Sequence, residues 1–248
     1  MASAAPIFPT TSHTMLEKVR SSDPQQRKFA LDLFCKTYHP PIHVLARKLG
    51  FSLEDAQDLT QDLFLKVIKG SVLQKFDRER GTKFSTWLMA VFKNLTLHFR
   101  QAGDTLKRGG TIEHVNLHTQ HAEEAFLGLQ HTGMEAPLMF DLMLARQIWA
   151  QTRERICDKY ARTPYGKMVG ELEPIILLSI WPPPPAPSQA EFAVRHGVTA
   201  VQLRTFLSRN LRSQAGRLFA SEAAAASPGI TQDDTEELWQ LLREHAGS

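Results

Sequence analysis

Apolar residues recur at three- and four-residue intervals along most of this chain, and no segment alternates apolar and polar residues convincingly. Ala56, Leu59, Leu63 and Val67 fall on one helical face, with Phe64 beside it. Phe29, Leu33 and Phe34, then Ile42, Leu45, Ala46 and Leu49, keep the same spacing. A period near 3.6 gives a helix one buriable stripe, whereas a half-buried strand needs a period of two. The expected fold class is therefore all-α.

Breakers divide the pattern. Proline inside a helix removes a hydrogen bond and clashes with the preceding turn, so Pro40–Pro41 is expected to break or kink the first helical stretch. Ser52 is a plausible N-cap for a second helix, with Asp55 as a short-armed capping partner, and that helix stops at Gly70. A third helix covers roughly residues 85–101. Leu106–Thr132 is polar, with His114, His118, His121 and His131, and reads as a linker. Helical pattern resumes near Phe140 and again at Glu173–Trp181. Pro182–Pro185 forbids helix and marks a stiff connector. Ser188 caps a short helix, a longer one starts near Thr199, and an amphipathic helix covers 233–245. The expected organisation is a disordered N-terminus at 1–12, a first domain at 13–104, a linker at 105–138, a second domain at 139–222 and a tail at 223–248 with a short helix. Two small helical domains joined by a polar linker is the architecture this implies.

The formal net charge is only +3, so the distribution of charge matters more than its sum. Eight Lys/Arg face three Asp/Glu between Lys75 and Arg108, and four Arg with no acid lie between Arg204 and Arg217. Four acids with no base lie between Glu54 and Asp62. Patches of opposite sign suggest two kinds of partner surface. Cys35 and Cys157 are too far apart in sequence to suggest a metal motif and read as free thiols. His118 and His121 lack a cysteine or carboxylate at ligand spacing, so no metal or other cofactor is expected. No nucleophile set or phosphate loop is present, which argues against an enzyme. The N-terminus lacks the basic start and apolar run of a signal peptide. The longest apolar run, Ile175–Trp181, is far shorter than the ~20 residues a spanning helix needs. A soluble, cytoplasmic protein with no membrane partner is expected.

Residues 188–212 have the layout of a helix-turn-helix. That motif needs a small residue in its first helix for close crossing, glycine in the turn, and apolar residues inside its second helix. Ala193, Gly197, Val198, Leu203 and Phe206 fill those places, and Thr199 is a suitable N-cap. The outward face would carry Gln202, Arg204, Thr205, Ser208, Arg209 and Arg212, whose side chains can reach bases or phosphates. An ordinary helical hairpin with a solvated basic face is the competing reading.

The stretch DAQDLTQDLFLKV, followed by FDRERGTKFSTWLMAVFKNLTLHFR, is similar to region 2 of extracytoplasmic-function (ECF) sigma factors. The likeness includes the Asp-Leu-x-Gln core, the Arg-Gly loop, the Trp-Leu pair and Asn94. The helix-turn-helix resembles region 4 of the same family, and the order of the two also matches. The resemblance implies a sigma factor that directs core RNA polymerase to specific promoters, with no chemistry of its own. It implies that Asp55, Asp58, Gln61, Asp62 and Lys66 dock on the β′ clamp coiled coil. It places Phe76, Arg80, Gly81, Lys83 and Phe84 around a base flipped from the minus-ten element, Asn94 at the upstream edge of that element, and Lys93 and Arg100 on phosphates. Gln202, Arg204, Thr205, Ser208, Arg209 and Arg212 would enter the major groove at the minus-thirty-five element. Core polymerase through β′ and the β flap, and promoter DNA, are the implied partners, and the resemblance also admits an anti-sigma protein. A degenerate sigma-like protein that binds polymerase or a regulator without reading a promoter is the alternative.

Overall fold

The computed structural model describes residues 15–19, 21–69, 72–77, 82–103, 117–130, 132–178, 180–183, 185–227 and 229–246. Residues 1–12, expected to be disordered, lie outside these. The described residues are helical with no strand, as the apolar period requires. They divide into two compact units, one of residues 13–147 with 224–231, the other of 148–223 with 232–248.

The first unit is built on α1 (Met15–Val19), α2 (Pro24–Lys48), α3 (Leu53–Ile68), α4 (Phe84–Gly103), α5 (Leu117–Leu129) and the first part of α6 (Ala136–Tyr160). Asp23 caps α2 by accepting from the Gln25 N–H at 2.9 Å, and Pro24 occupies the first turn, where its missing N–H costs nothing. The helix then runs unbroken through Pro40 and Pro41, contrary to the expected break. The reason is burial: Thr37, Tyr38, Pro40, Pro41 and Ile42 are all inside the unit, and tertiary packing overrides local propensity. Gly50, at φ +88°, turns the chain out of α2. Ser52 caps α3 by accepting from the Asp55 N–H at 3.0 Å. Asp55 is too short to complete a reciprocal box, and its carboxylate instead accepts from the Ser52 hydroxyl at 2.8 Å.

The polar stretch expected to be a linker carries α5, which packs on α2. Ala122, Phe126 and Leu129 recur at i, i+4 and i+7 and are all buried. Glu123 fastens the pair, accepting from Arg47 Nε at 3.0 Å and from buried His43 Nε2 at 3.1 Å. The Arg47 guanidinium also lies 4.8 Å above the Phe126 ring. Burial pushes the His43 pKa down and the Glu123 carboxylate opposes it, with burial the larger effect. The fully buried Tyr38 hydroxyl donates to Ser227 Oγ at 3.0 Å, so residues just past the alanine run complete this core.

The second unit contains the rest of α6, then α7 (Gly166–Val169), a 3₁₀ turn at Gly170–Leu172, α8 (Glu173–Leu178), α9 (Gln189–Arg195), α10 (Ala200–Thr205), α11 (Arg212–Ala226) as far as Ala223, and α12 (Gln232–Glu244). A π-helical segment, Phe206–Leu211, joins α10 to α11 without a break. The alanine run is thus helical to Ala226. Leu203, Phe206, Leu211 and Phe219 form one side of the core, with Leu172 and Ile175 also buried. Tyr160 and Tyr165 pack on Phe206, edge-on at 5.0 Å and stacked at 4.1 Å. The tail is integral to this unit: Leu238 and Leu242 are buried, Trp239 meets Trp149 and Phe219, and Arg243 donates to the Leu177 carbonyl at 2.7 Å.

Candidate nucleic-acid interface

Three surfaces carry the residues singled out from sequence. The first is the outer face of α3. Its apolar stripe is buried through Ala56, Leu59, Leu63 and Val67, which turns Asp58, Gln61, Asp62 and Lys66 to solvent. Asp55 is half-buried and engaged with Ser52. Partial burial, followed by the charges of Asp55, Asp62 and Glu54, raises the Asp58 pKa. A helix that keeps three like charges around an exposed carboxylate gives up some of its own stability, and a cationic partner would recover it.

The second surface lies on α4. Lys93, Asn94, Leu97, His98 and Gln101 are exposed along one face, at alternating spacings of one and three residues. Lys93 and Asn94 are thus exposed. Leu97, 56% exposed at the centre of that face, was not singled out from sequence. Arg100 is exposed but already committed within the protein: it donates to the Leu49 carbonyl at 2.9 Å and stacks over Phe51 at 4.7 Å. It ties α4 to the end of α2 rather than standing free for a phosphate.

Phe76 and Phe84 differ from the expectation. They are only 6% and 3% exposed. Phe84 meets Phe76 edge-on at 5.0 Å, Tyr38 at 5.5 Å and Phe34 at 6.3 Å, while Trp87 tilts against both Phe76 and Phe84. Each ring is spent on its neighbours, so neither offers an open face to a base. Lys83 is exposed on the approach to α4, and Arg80 and Gly81 lie outside the described residues.

The third surface is the helix-turn-helix. Ser188 and Glu191 form a capping box at the start of α9, and Trp181 donates to the Pro187 carbonyl at 2.7 Å while its ring meets Phe192 edge-on. The proline run is thereby strapped to the first helix. Gly197 takes φ +70° in the turn, and Ala193 beneath it is fully buried. Thr199 and Gln202 form a second capping box: the Thr199 hydroxyl accepts from the Gln202 N–H at 3.1 Å, and Gln202 Oε1 accepts from the Thr199 N–H at 2.8 Å. Gln202 is exposed, and its side-chain oxygen is engaged in holding the helix start. Arg204, Thr205, Ser208 and Arg209 are exposed. Arg212 is half-buried, because the π-helical turn shifts the register after Thr205 and turns it inward. The same turn exposes Asn210, which a uniform 3.6-residue period does not single out.

Residues 34–104 match the family model for Sigma-70 region 2. This stretch of the chain is similar to a sigma-70 region 2. The match spans α2 from Phe34, the whole of α3 and α4, and the residues between them. No curated protein and no solved structure matches the chain. A sigma-70 region 2 supports a sigma-factor role in transcription initiation, and the family implies binding to core RNA polymerase and promoter DNA. Family members are regulatory factors rather than enzymes. Among the described residues no helix is long and apolar enough to cross a membrane.

Proposed function

We propose that this protein is a sigma factor of the ECF type, which gives core RNA polymerase its promoter specificity. The observation that carries the reading is the match to sigma-70 region 2, in which the α3 face of Asp58, Gln61, Asp62 and Lys66 is exposed. That face docks on the β′ clamp coiled coil, and complementary charge speeds the encounter and fixes its register. The α4 face, through Lys93 and Asn94, meets the upstream edge of the minus-ten element. Lys83 and the loop before α4 hold the extruded base, with the Phe76–Phe84–Trp87 cluster as a rigid floor rather than as stacking partners. Base extrusion costs a few kcal/mol, and strand contacts made by the assembled holoenzyme offset it. The helix-turn-helix, with Arg204, Thr205, Ser208 and Arg209 exposed and no acid between Ala200 and Arg217, enters the major groove at the minus-thirty-five element. The second unit also contacts the β flap.

One observation favours a second reading. With Phe76 and Phe84 buried, a sigma-like protein that binds polymerase without melting a promoter also fits. Run-off transcription with sigma-free core polymerase and fragments of the host genome separates the two. Discrete new transcripts that disappear with Asp58→Lys and Asp62→Lys support a working sigma factor. Stable binding to core without transcripts selects the second reading, and absence of binding refutes both.

A further inference from the structure

Val201 is 69% exposed, in the first turn of the second helix of the helix-turn-helix. A singly exposed valine is ordinary on a protein surface, and Val194, 78% exposed, is one such on α9. The position of Val201 sets it apart. First-turn residues of the second helix are those that reach base edges in this motif. Val201 stands at i−3 and i−4 from exposed Arg204 and Thr205, so the three share one face of α10. That face belongs to a segment with four arginines and no acid from Ala200 to Arg217, which suits it to a polyanion.

The neighbouring polar candidate is removed by the capping box. Reading adenine with a glutamine uses its amide oxygen and nitrogen together. Gln202 Oε1 is held by the Thr199 N–H at 2.8 Å, and turning the amide toward a base would break the reciprocal half of the capping box. The first turn therefore presents an apolar side chain, and the thymine C5-methyl is the apolar group on the major-groove edge of the bases. We propose that Val201 is a specificity-determining residue that packs on a thymine methyl of the minus-thirty-five element, while Gln202 only positions the helix. The inference rests on the helix-turn-helix entering the major groove.

The test uses holoenzyme, assembled from the full chain and core polymerase, with a duplex selected from a random pool. Deoxyuridine replaces each thymine in turn, which deletes one methyl group and nothing else. Wild-type holoenzyme should lose about fourfold in affinity at one or two thymines, the worth of burying one methyl group. Val201→Ser should bind thymine and deoxyuridine duplexes equally there, whereas Val201→Thr, which keeps a methyl, should retain the discrimination. Gln202→Glu, which preserves the cap, should leave base preference unchanged. If Arg204→Ala and Arg209→Ala weaken binding but no deoxyuridine position matters, or if Val201→Ser discriminates as wild type does, the thymine assignment is overturned while major-groove docking stands. If the arginine variants leave binding unchanged, docking by the helix-turn-helix fails and the assignment falls with it.

Discussion

Replacing Asp58 with asparagine should stabilise the protein and weaken its grip on polymerase at the same time. Asp58 lies beyond the first turn of α3, so it gains little from the helix dipole. It faces Glu54 and Asp62 at i±4 and Asp55 at i−3, and these charges, after partial burial, raise its pKa. Like charges at these spacings cost about 0.2–0.5 kcal/mol per pair. Three pairs, discounted for solvent screening, leave about 0.5–1 kcal/mol to be recovered by Asp58→Asn. For a chain of this size that is a rise of roughly 1–4 °C in Tm. The sign with pH follows: a raised carboxyl pKa means the folded state holds its proton longer, so this destabilisation grows as pH rises through the carboxylate range. The variant should flatten that component. Thermal unfolding by circular dichroism at low and high salt checks the first half, and the gain should shrink at high salt. Fluorescence anisotropy against core polymerase checks the second: affinity should fall several-fold, chiefly through the association rate. A lower Tm at low salt, or a higher Tm with unchanged core affinity, would refute the view that α3 trades stability for docking.

Four further perturbations test the packing beneath these surfaces. Glu123→Ala should cost about 1–3 kcal/mol, since it leaves the Arg47 guanidinium and the His43 imidazole without their shared acceptor; urea unfolding measures it. In the wild type, the lowered His43 pKa predicts a stability contribution that is complete above about pH 6.5 and is lost as pH falls below it, because the unfolded chain takes up the proton first; stability measured from pH 7.5 to 5 should fall in that direction. Phe84→Ala should cost about 3–5 kcal/mol through loss of the Phe34–Tyr38–Phe76–Trp87 contacts, whereas a solvent-facing base-stacking ring would cost little when removed. Gly166→Ala should destabilise the second unit, because a Cβ there would stand 2.8 Å from the carbonyl oxygens of both Tyr160 and Ala161; a melting temperature equal to wild type would show that the turn relaxes freely.

The helices were legible wherever a periodic apolar stripe coincided with a cap. The second helix was expected from Ser52 to about Ile68, and α3 covers Leu53–Ile68 between that cap and a buried stripe. Where a local rule met a strong tertiary context, the local rule lost. Pro40 and Pro41 argue against a helix on backbone grounds, but Phe34, Tyr38, Ile42 and Leu45 supply a core face across them that α3 and α5 cover. Polar composition hid α5 for a related reason. Among its described side chains the buried stripe is Ala122, Phe126 and Leu129, and the Glu123 carboxylate between His43 and Arg47 adds a partnership that hydropathy does not register.

The candidate site was legible to different depths on its different elements. On α3 the outward acids follow from the same period that buries Leu59 and Leu63, so one pattern decides both faces. The aromatic residues before α4 could not be sorted this way. Phe76 and Phe84 sit at a loop and a helix start, where no period says which way a ring turns, and a ring suited to stacking on a base is equally suited to stacking on Tyr38. The helix-turn-helix shows a third limit. Its expected outward face assumed one uniform helix from Thr199 to Arg212, but the π-helical turn at Phe206–Leu211 advances the register. That turn keeps Phe206, Leu207 and Leu211 buried together while exposing Ser208, Arg209 and Asn210 in succession. The wider turn therefore trades the inward rotation of Arg212 for a broader polar face, and Asn210 becomes a contact to test alongside Arg209. If the wide turn shapes the DNA-facing surface, Asn210→Ala should weaken promoter binding at least as much as Arg212→Ala in the same holoenzyme assay. A larger effect at Arg212 would restore the uniform-helix face.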